Sequence, residues 1–274
     1  MQIKKNDTVL VTGGSNGLGL EIVKRLLLEN LIIIIVDITA PPPNLLNSAE
    51  DGKLYYYKID VSQESEIKKL KKIVETYHNS INIIINNAGI VYIERLANTP
   101  DEQLQKIIDI NLIAPILLVK YFLPDILNQR RGCVVNIASI LGLITPTGVT
   151  AYGASKGGLI SFHNSIGKQI EMRIGKNFFP FQRDNKVETL LVLPGKINTT
   201  MFENVTTPSM IFAPDVDPRR LANKIVSTII TSNNFKIISM PYYTRLIPIF
   251  KKNLNWRYSW LLKKLSRMDR ATAV

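Results

Sequence analysis

Cysteine, histidine, acidic residues and long apolar runs are all scarce in this chain. A single cysteine, Cys133, excludes an internal disulfide, and in the apolar run Cys133-Val134-Val135 it reads as a small buried hydrophobe rather than a ligand. A reducing compartment is therefore expected. Two histidines, His78 and His163, beside one thiol give no transition-metal constellation, so no metal is expected. The apolar run at 31–36 stops at Asp37, well short of the roughly 18 to 20 residues a membrane-spanning helix needs. Residues 1–7 carry Lys4 and Lys5 but no apolar signal core. Neither a membrane span nor secretion is expected. Acids number 22 against 34 Lys and Arg, a net charge of +12, and from Lys236 onward nine bases face one acid, Asp269. Such a tail suits an anionic membrane surface or a nucleic acid. Trp256, Tyr258 and Trp260 could stack on bases, but no nucleic-acid fold or zinc pattern accompanies them, and no nucleic-acid partner is expected.

A core is plentiful. Hydrophobic residues make up 46% of 274 and charged ones 20%, which fits one large folded domain with an appendage. Short Val- and Ile-rich runs at 8–12, 31–36, 54–59, 81–85, 133–138, 187–193 and 236–239 read as seven strands. They are apolar throughout rather than alternating, as strands buried on both faces of a parallel sheet must be. Segments 17–29, 62–77, 101–110, 111–128, 151–173 and 218–231 have helical apolar spacing with charged outer faces. Ser62, and Thr99 before Pro100-Asp101-Glu102, look like helix starts. Alternating β and α segments predict a doubly wound α/β Rossmann fold of about seven parallel strands over residues 1–240, with a basic amphipathic helical extension at 241–274. Residues 174–185 read as a surface insertion.

Two features point to a dinucleotide. Thr12-Gly13-Gly14-Ser15-Asn16-Gly17-Leu18-Gly19 follows the first strand and opens the first helix. A turn there must bring backbone N–H groups against a pyrophosphate, and glycine permits that approach. Its spacing is G-x-x-x-G-x-G, not the usual G-x-G-x-x-G, and a glycine cluster can also serve purely to close a strand onto a helix. Asp37 ends the second strand 18 residues past Gly19, where a carboxylate can accept both ribose hydroxyls. A 2′-phosphate would meet like charge there, with Asn16 and Ile38 supplying no compensating base. NAD is expected over NADP.

At Tyr152-Gly153-Ala154-Ser155-Lys156 the chain resembles the short-chain dehydrogenase/reductase family. The similarity covers residues 8 to about 240: the T-G-x-x-x-G-x-G turn, Asp60-Val61 after the third strand, Asn86-Asn87-Ala88-Gly89 after the fourth, Asn111, Ser139 after the fifth, and Pro194-Gly195 with Ile197 and Thr199 after the sixth. The resemblance implies hydride transfer between a nicotinamide and an alcohol or carbonyl. A phenol with a pKa near 10 must then exchange the hydroxyl proton, and a cation one helical turn away makes it more acidic. Lys156 stands four residues after Tyr152, and Ser139, 13 residues before Tyr152, would orient the substrate oxygen. The resemblance further implies a water-linked proton path at Asn111, where a helix-capping role is the alternative. It also implies contacts from Asp60, Val61, Asn87, Ala88 and Gly89 to ribose and adenine, and from Pro194, Gly195, Ile197 and Thr199 to the nicotinamide.

Competing readings fare worse. Gly153-Ala154-Ser155-Lys156-Gly157 matches the G-x-S-x-G turn of hydrolases, yet no strand precedes it and no acid lies between Ser155 and His163. A non-catalytic dinucleotide-binding scaffold docking on membrane through its tail is the alternative, and it would not need Asn111, Ser139, Tyr152 and Lys156 together. The apolar stretch around Met201, Phe202, Met210, Ile211 and Phe212 suggests a lid over a hydrophobic alcohol, ketone or aldehyde of steroid, retinoid or lipid type; core packing is the other reading. Leu254, Tyr258, Leu261, Leu265 and Met268 can share a helical face edged by Lys263, Lys264 and Arg267. That tail loosely resembles the retinol and hydroxysteroid dehydrogenase branch of endoplasmic reticulum and lipid droplets. A cytoplasmic protein with peripheral contact to such a surface is expected, as is a homodimer or homotetramer of the family kind.

Overall fold

The computed structural model describes residues 3–48, 52–145, 147–175, 186–202, 215–231, 237–241 and 244. Seven strands, β1 (Thr8–Thr12), β2 (Ile32–Asp37), β3 (Leu54–Lys58), β4 (Ile83–Asn86), β5 (Arg131–Ile137), β6 (Lys186–Pro194) and β7 (Ile237–Met240), form one parallel sheet in the order β3-β2-β1-β4-β5-β6-β7. The chain winds outward one way from β1 and then the other way from β4, so the carboxyl ends of these two neighbours form the switch point where a crevice opens.

Strand β2 shows why the runs are apolar without a break. Ile33 and Ile35 enter a cluster with Ile22, Val23 and Leu26 of helix α1 (Gly17–Leu27) and with Leu221, Ile225 and Ile229 of α7 (Pro218–Thr231). Ile34 and Val36 enter the opposite cluster, with Ile67 and Leu70 of α3 (Glu64–Tyr77) and Leu118 and Phe122 of α5 (Ala114–Asn128). Each such side chain contributes about 1.5–3 kcal/mol by leaving water, so a polar residue on either face would be costly. The remaining helices are the short α2 (Pro43–Ser48), α4 (Asp101–Ile108) and α6 (Thr150–Gly175).

Local chemistry shifts several expected boundaries. Helix α3 starts at Glu64, not Ser62, because Asp60 Oδ1 accepts both the Ser62 N–H at 2.9 Å and the Ser62 hydroxyl at 2.7 Å and holds that residue in the preceding turn. Thr99 does not cap α4; its hydroxyl donates to Arg95 O at 3.0 Å. The two helices expected at 101–110 and 111–128 are continuous, joined through a π-helical turn at Asp109–Ile113 in which Ala114 N–H donates to Asp109 O. The last of the three prolines at 41–43, Pro43, opens α2. The run Asp101–Asn128 is long and apolar enough to cross a membrane by length and composition, which a count of unbroken apolar residues misses. Here its Leu118, Val119, Phe122 and Ile126 are buried in the core. Of the expected insertion, 176–185 lies outside the described residues, as do 203–214 of the expected lid and nearly all of the extension from 242 onward.

Candidate active site

The glycine turn is built from close approaches. Gly13 N–H donates to Val36 O at 2.8 Å, and Gly13 and Gly17 have φ of +63° and +53°, which side chains other than glycine rarely adopt. A Cβ on Gly19 would lie 2.0 Å from Gly13 O. Thr12 Oγ1 accepts the N–H groups of Asn87 and Ala88 at 3.0 Å each, while Asn87 Nδ2 donates to Thr12 O and Gly13 O, also at 3.0 Å. The β4 loop thereby fixes the turn from beside it. Thr199 approaches from the other side, where its Cγ2 would be 3.3 Å from a Cβ on Gly17.

Asp37 stands at the end of β2, next to that turn. Its Oδ2 accepts Ser15 N–H at 3.0 Å, and its Oδ1 accepts the N–H and hydroxyl of Thr39 at 3.1 and 3.2 Å. Among the described residues no lysine or arginine forms an ion pair with it.

Ser139 follows β5, and Tyr152 and Lys156 stand on the first turns of α6. Lys156 Nζ donates to Ile137 O at 2.9 Å and sits 5.8 Å from the centre of the Tyr152 ring, and the Ser139 hydroxyl hydrogen-bonds the phenol. Burial pushes the Tyr152 phenol up to about 12, with the Ser139 bond pulling it partly back. Burial likewise lowers the Lys156 ammonium to about 8, so it keeps its proton at neutral pH. The helix carrying Tyr152 and Lys156 can lie this close to the Ser139 loop because glycine faces it: a Cβ on Gly142 would be 2.7 Å from Lys156 C, and one on Gly153 2.2 Å from Thr145 Cγ2.

The fifth of these polar residues, Asn111, is no helix cap. It occupies the π turn, fully buried, where its Oδ1 accepts Ile90 N–H at 2.8 Å and its Nδ2 donates to Ile90 O at 2.9 Å and to Ser155 Oγ at 3.2 Å. Ser155 passes the chain on to Tyr152 O at 2.7 Å, so the serine of the hydrolase-like motif is a buried structural link rather than a nucleophile. His163, the base that motif would require, is buried on Asn136 at 3.0 Å and pushed down to about 4.

A short chain dehydrogenase family model matches residues 7–209. The chain belongs to that family. An uncharacterized oxidoreductase of Saccharomyces cerevisiae is 41% identical over 271 residues, covering 99% of this chain and 85% of the relative. The mouse epidermal retinol dehydrogenase 2 is 28% identical over 252 residues, 90% of this chain and 78% of the relative. Among solved structures, a 4-hydroxyisoleucine dehydrogenase complexed with NADH is 26% identical, with a TM-score of 0.66 over 85% of this chain and 97% of that one. A metagenomic short-chain oxidoreductase in complex with NADP shares the fold at 22% identity, with a TM-score of 0.67 over 86% of this chain and 96% of that one. As a short-chain dehydrogenase the protein is an oxidoreductase of the kind that acts on CH–OH groups with a nicotinamide cofactor.

In this dehydrogenase one cleft of about 450 Å³ runs along the carboxyl ends of the strands. Gly13, Asn16, Gly17, Leu18, Asp37, Asp60, Val61, Asn87, Ala88, Gly89, Ser139, Tyr152, Lys156, Pro194, Gly195, Ile197 and Thr199 line it. Ser15, Gly19 and Asn111, also expected at the site, are not among the lining residues. Met201, expected in the lid, lines the cleft as well, and so do Ile90, Lys106, Ile110 and Ile137, which were not singled out from sequence. Ile90 and Ile110 adjoin recognisable motifs, which is a usable signal; Lys106 carries none. Thr39, another lining residue, follows Asp37 by two positions, a spacing at which a side chain returns to its own backbone.

Proposed function

We propose that this dehydrogenase transfers a hydride between NAD and a hydrophobic primary or secondary alcohol, or the matching aldehyde or ketone, of steroid, retinoid or lipid type. The observation that carries the reading is the convergence of Ser139, Tyr152 and Lys156 in the same cleft as Asp37 and the glycine turn. The residues present fit a dinucleotide: a turn that only glycine can form faces one stretch of the cleft, an acceptor carboxylate one end, and a phenol–ammonium pair the other. When bound, the nicotinamide would accept or supply the hydride. Asp37 would accept the adenosine ribose hydroxyls, with Asp60 and Val61 toward the adenine and Pro194, Gly195, Ile197 and Thr199 toward the nicotinamide.

Tyr152 exchanges the substrate's hydroxyl proton. With its phenol held near 12 it is a protonated donor at neutral pH, suited to reducing a carbonyl; in the oxidising direction the phenolate depends on the Lys156 ammonium for stabilisation. Ser139 fixes the substrate oxygen beside the phenol. Asn111 acts behind them, holding the Ile90 backbone and, through Ser155, the start of α6. Half-exposed Met201, which lines the cleft, and the retinol dehydrogenase relative support an apolar substrate.

Residues 241–274 belong to the same proposal as an appendage that docks reversibly on an anionic endoplasmic-reticulum or lipid-droplet surface from the cytoplasm, on a homodimer or homotetramer. Each cation near such a surface adds on the order of 1 kcal/mol. The test is a fluorescence titration with NADH and NADPH, followed by turnover of retinol, a steroid alcohol and a sugar alcohol. NADH preference with turnover confined to the lipid-like alcohols supports the proposal. NADPH preference overturns its cofactor part, sugar turnover its substrate part, and cofactor binding without any turnover favours a non-catalytic scaffold. Co-sedimentation with anionic liposomes that survives removal of 241–274 overturns the docking part.

A further inference from the structure

The carboxylate that selects the cofactor is held by a closed ring of hydrogen bonds, and Thr39 joins its members. The Thr39 hydroxyl donates to Asp37 Oδ1 at 3.2 Å and accepts from Asn16 Nδ2 at 3.2 Å; its N–H donates to the same Oδ1 at 3.1 Å; its carbonyl accepts from Ser15 Oγ at 2.7 Å. Ser15 N–H closes the ring on Asp37 Oδ2 at 3.0 Å. The ring ties the glycine turn to the loop after β2, and Asp37, Thr39 and Asn16 all face the cleft.

A vicinal diol is best received by a carboxylate whose plane is already fixed, because no rotamer freedom is then lost on binding. A 2′-phosphate demands the opposite, a carboxylate able to turn away from it. We propose that Thr39 is a specificity-determining positioning residue: by locking the Asp37 carboxylate it favours a ribose with a free 2′-hydroxyl and disfavours a 2′-phosphate. This rests on the NAD reading above. Removing the hydroxyl takes one donor from Oδ1 and releases the Asn16 amide, so the carboxylate gains freedom to swing and a new donor is left facing the place of a phosphate.

The experiment is a fluorescence titration of the full chain with NADH and with NADPH, for the wild type, Thr39→Val, which keeps the shape, and Thr39→Ser, which keeps the hydroxyl. A thermal unfolding midpoint for each variant reports on folding. The expected result is an NADH Kd raised about fivefold in T39V, the worth of one hydrogen bond, with NADPH binding unchanged or tighter, and both Kd values restored to within about twofold by T39S. If T39V weakens both cofactors equally, keeps the wild-type ratio within about twofold, or is matched by T39S, Thr39 does not set the choice while the NAD reading stands. A wild type that prefers NADPH overturns the NAD reading itself and this inference with it.

Discussion

The two edges of the sheet use similar residues to opposite ends. At the amino edge the polar groups saturate one another. Arg131 grips Asp7 through two bonds of 2.6 Å, and Lys4 N–H adds a third at 2.9 Å. Asn82 takes Thr8 N–H at 2.9 Å on its oxygen and gives its amide to Gln129, which in turn reaches Ser80 and Ile81 O at 3.0 and 2.8 Å. This clasp binds the starts of β1, β4 and β5. At the carboxyl edge the bonds position groups without exhausting them: Lys156 gives one of its three protons to Ile137 O, and each Asp37 oxygen keeps capacity beyond its backbone donors. Polarity alone therefore does not mark a site in this fold; residual hydrogen-bonding capacity facing a cleft does.

The sharpest test of that division is Tyr152→Phe, expected to lower turnover about 10³- to 10⁴-fold in steady-state assays while NADH affinity and the unfolding midpoint hold. A comparable loss from a clasp residue would break the distinction. Asp7→Ala should instead cost about 3–4 kcal/mol in urea unfolding by leaving Arg131 without its buried partner, with kcat unchanged at temperatures where the protein is folded. Between the edges, His163 is a buried neutral group whose pKa falls from 6.5 to about 4 on folding. The unfolded chain then binds the extra proton, so stability falls as pH drops from 6.5 toward 4, by on the order of 3 kcal/mol at most, and His163→Gln should flatten that limb in pH-dependent urea midpoints. The smallest effect belongs to the partly exposed pair Arg25–Glu29 at the end of α1: Glu29→Gln should shift stability by about 0.5 kcal/mol or less and leave activity alone.

The sequence was informative wherever a signal is local and repeated. All seven strands were legible, since Ile33 and Ile35 on one face and Ile34 and Val36 on the other must all be apolar. Tyr152 and Lys156 were legible because four residues make one helical turn, and Asp37 because a strand end followed by an exposed loop leaves a carboxylate facing the crevice. Helix starts were not: whether Ser62 or Gln63 begins α3 depends on which way Asp60 turns, and Thr99 had Arg95 O as a competing partner. Lys106 entered the site through tertiary proximity that no spacing rule encodes, whereas Thr39 lies only two residues past Asp37 and its local bond to that carboxylate was overlooked. The role of Asn111 was open between a cap and a site residue, and the π turn answers the first half of that question by giving its amide no helix end to cap.

That π turn also bears on how the chain tolerates change in length. Asp109–Ile113 holds one residue more than an α-helical path would, and each residue of an α-helix turns the side chains by about 100°. Upstream, Lys106 is phased to the cleft, as is Ile110 within the turn; downstream, Leu118 and Phe122 are phased to the sheet. Deleting a single residue here would make the helix more regular and the enzyme less competent, since one half would rotate out of step with the other and carry Asn111 away from Ile90 and Ser155. An irregularity that a designer would smooth away is the joint that lets one rod serve two surfaces.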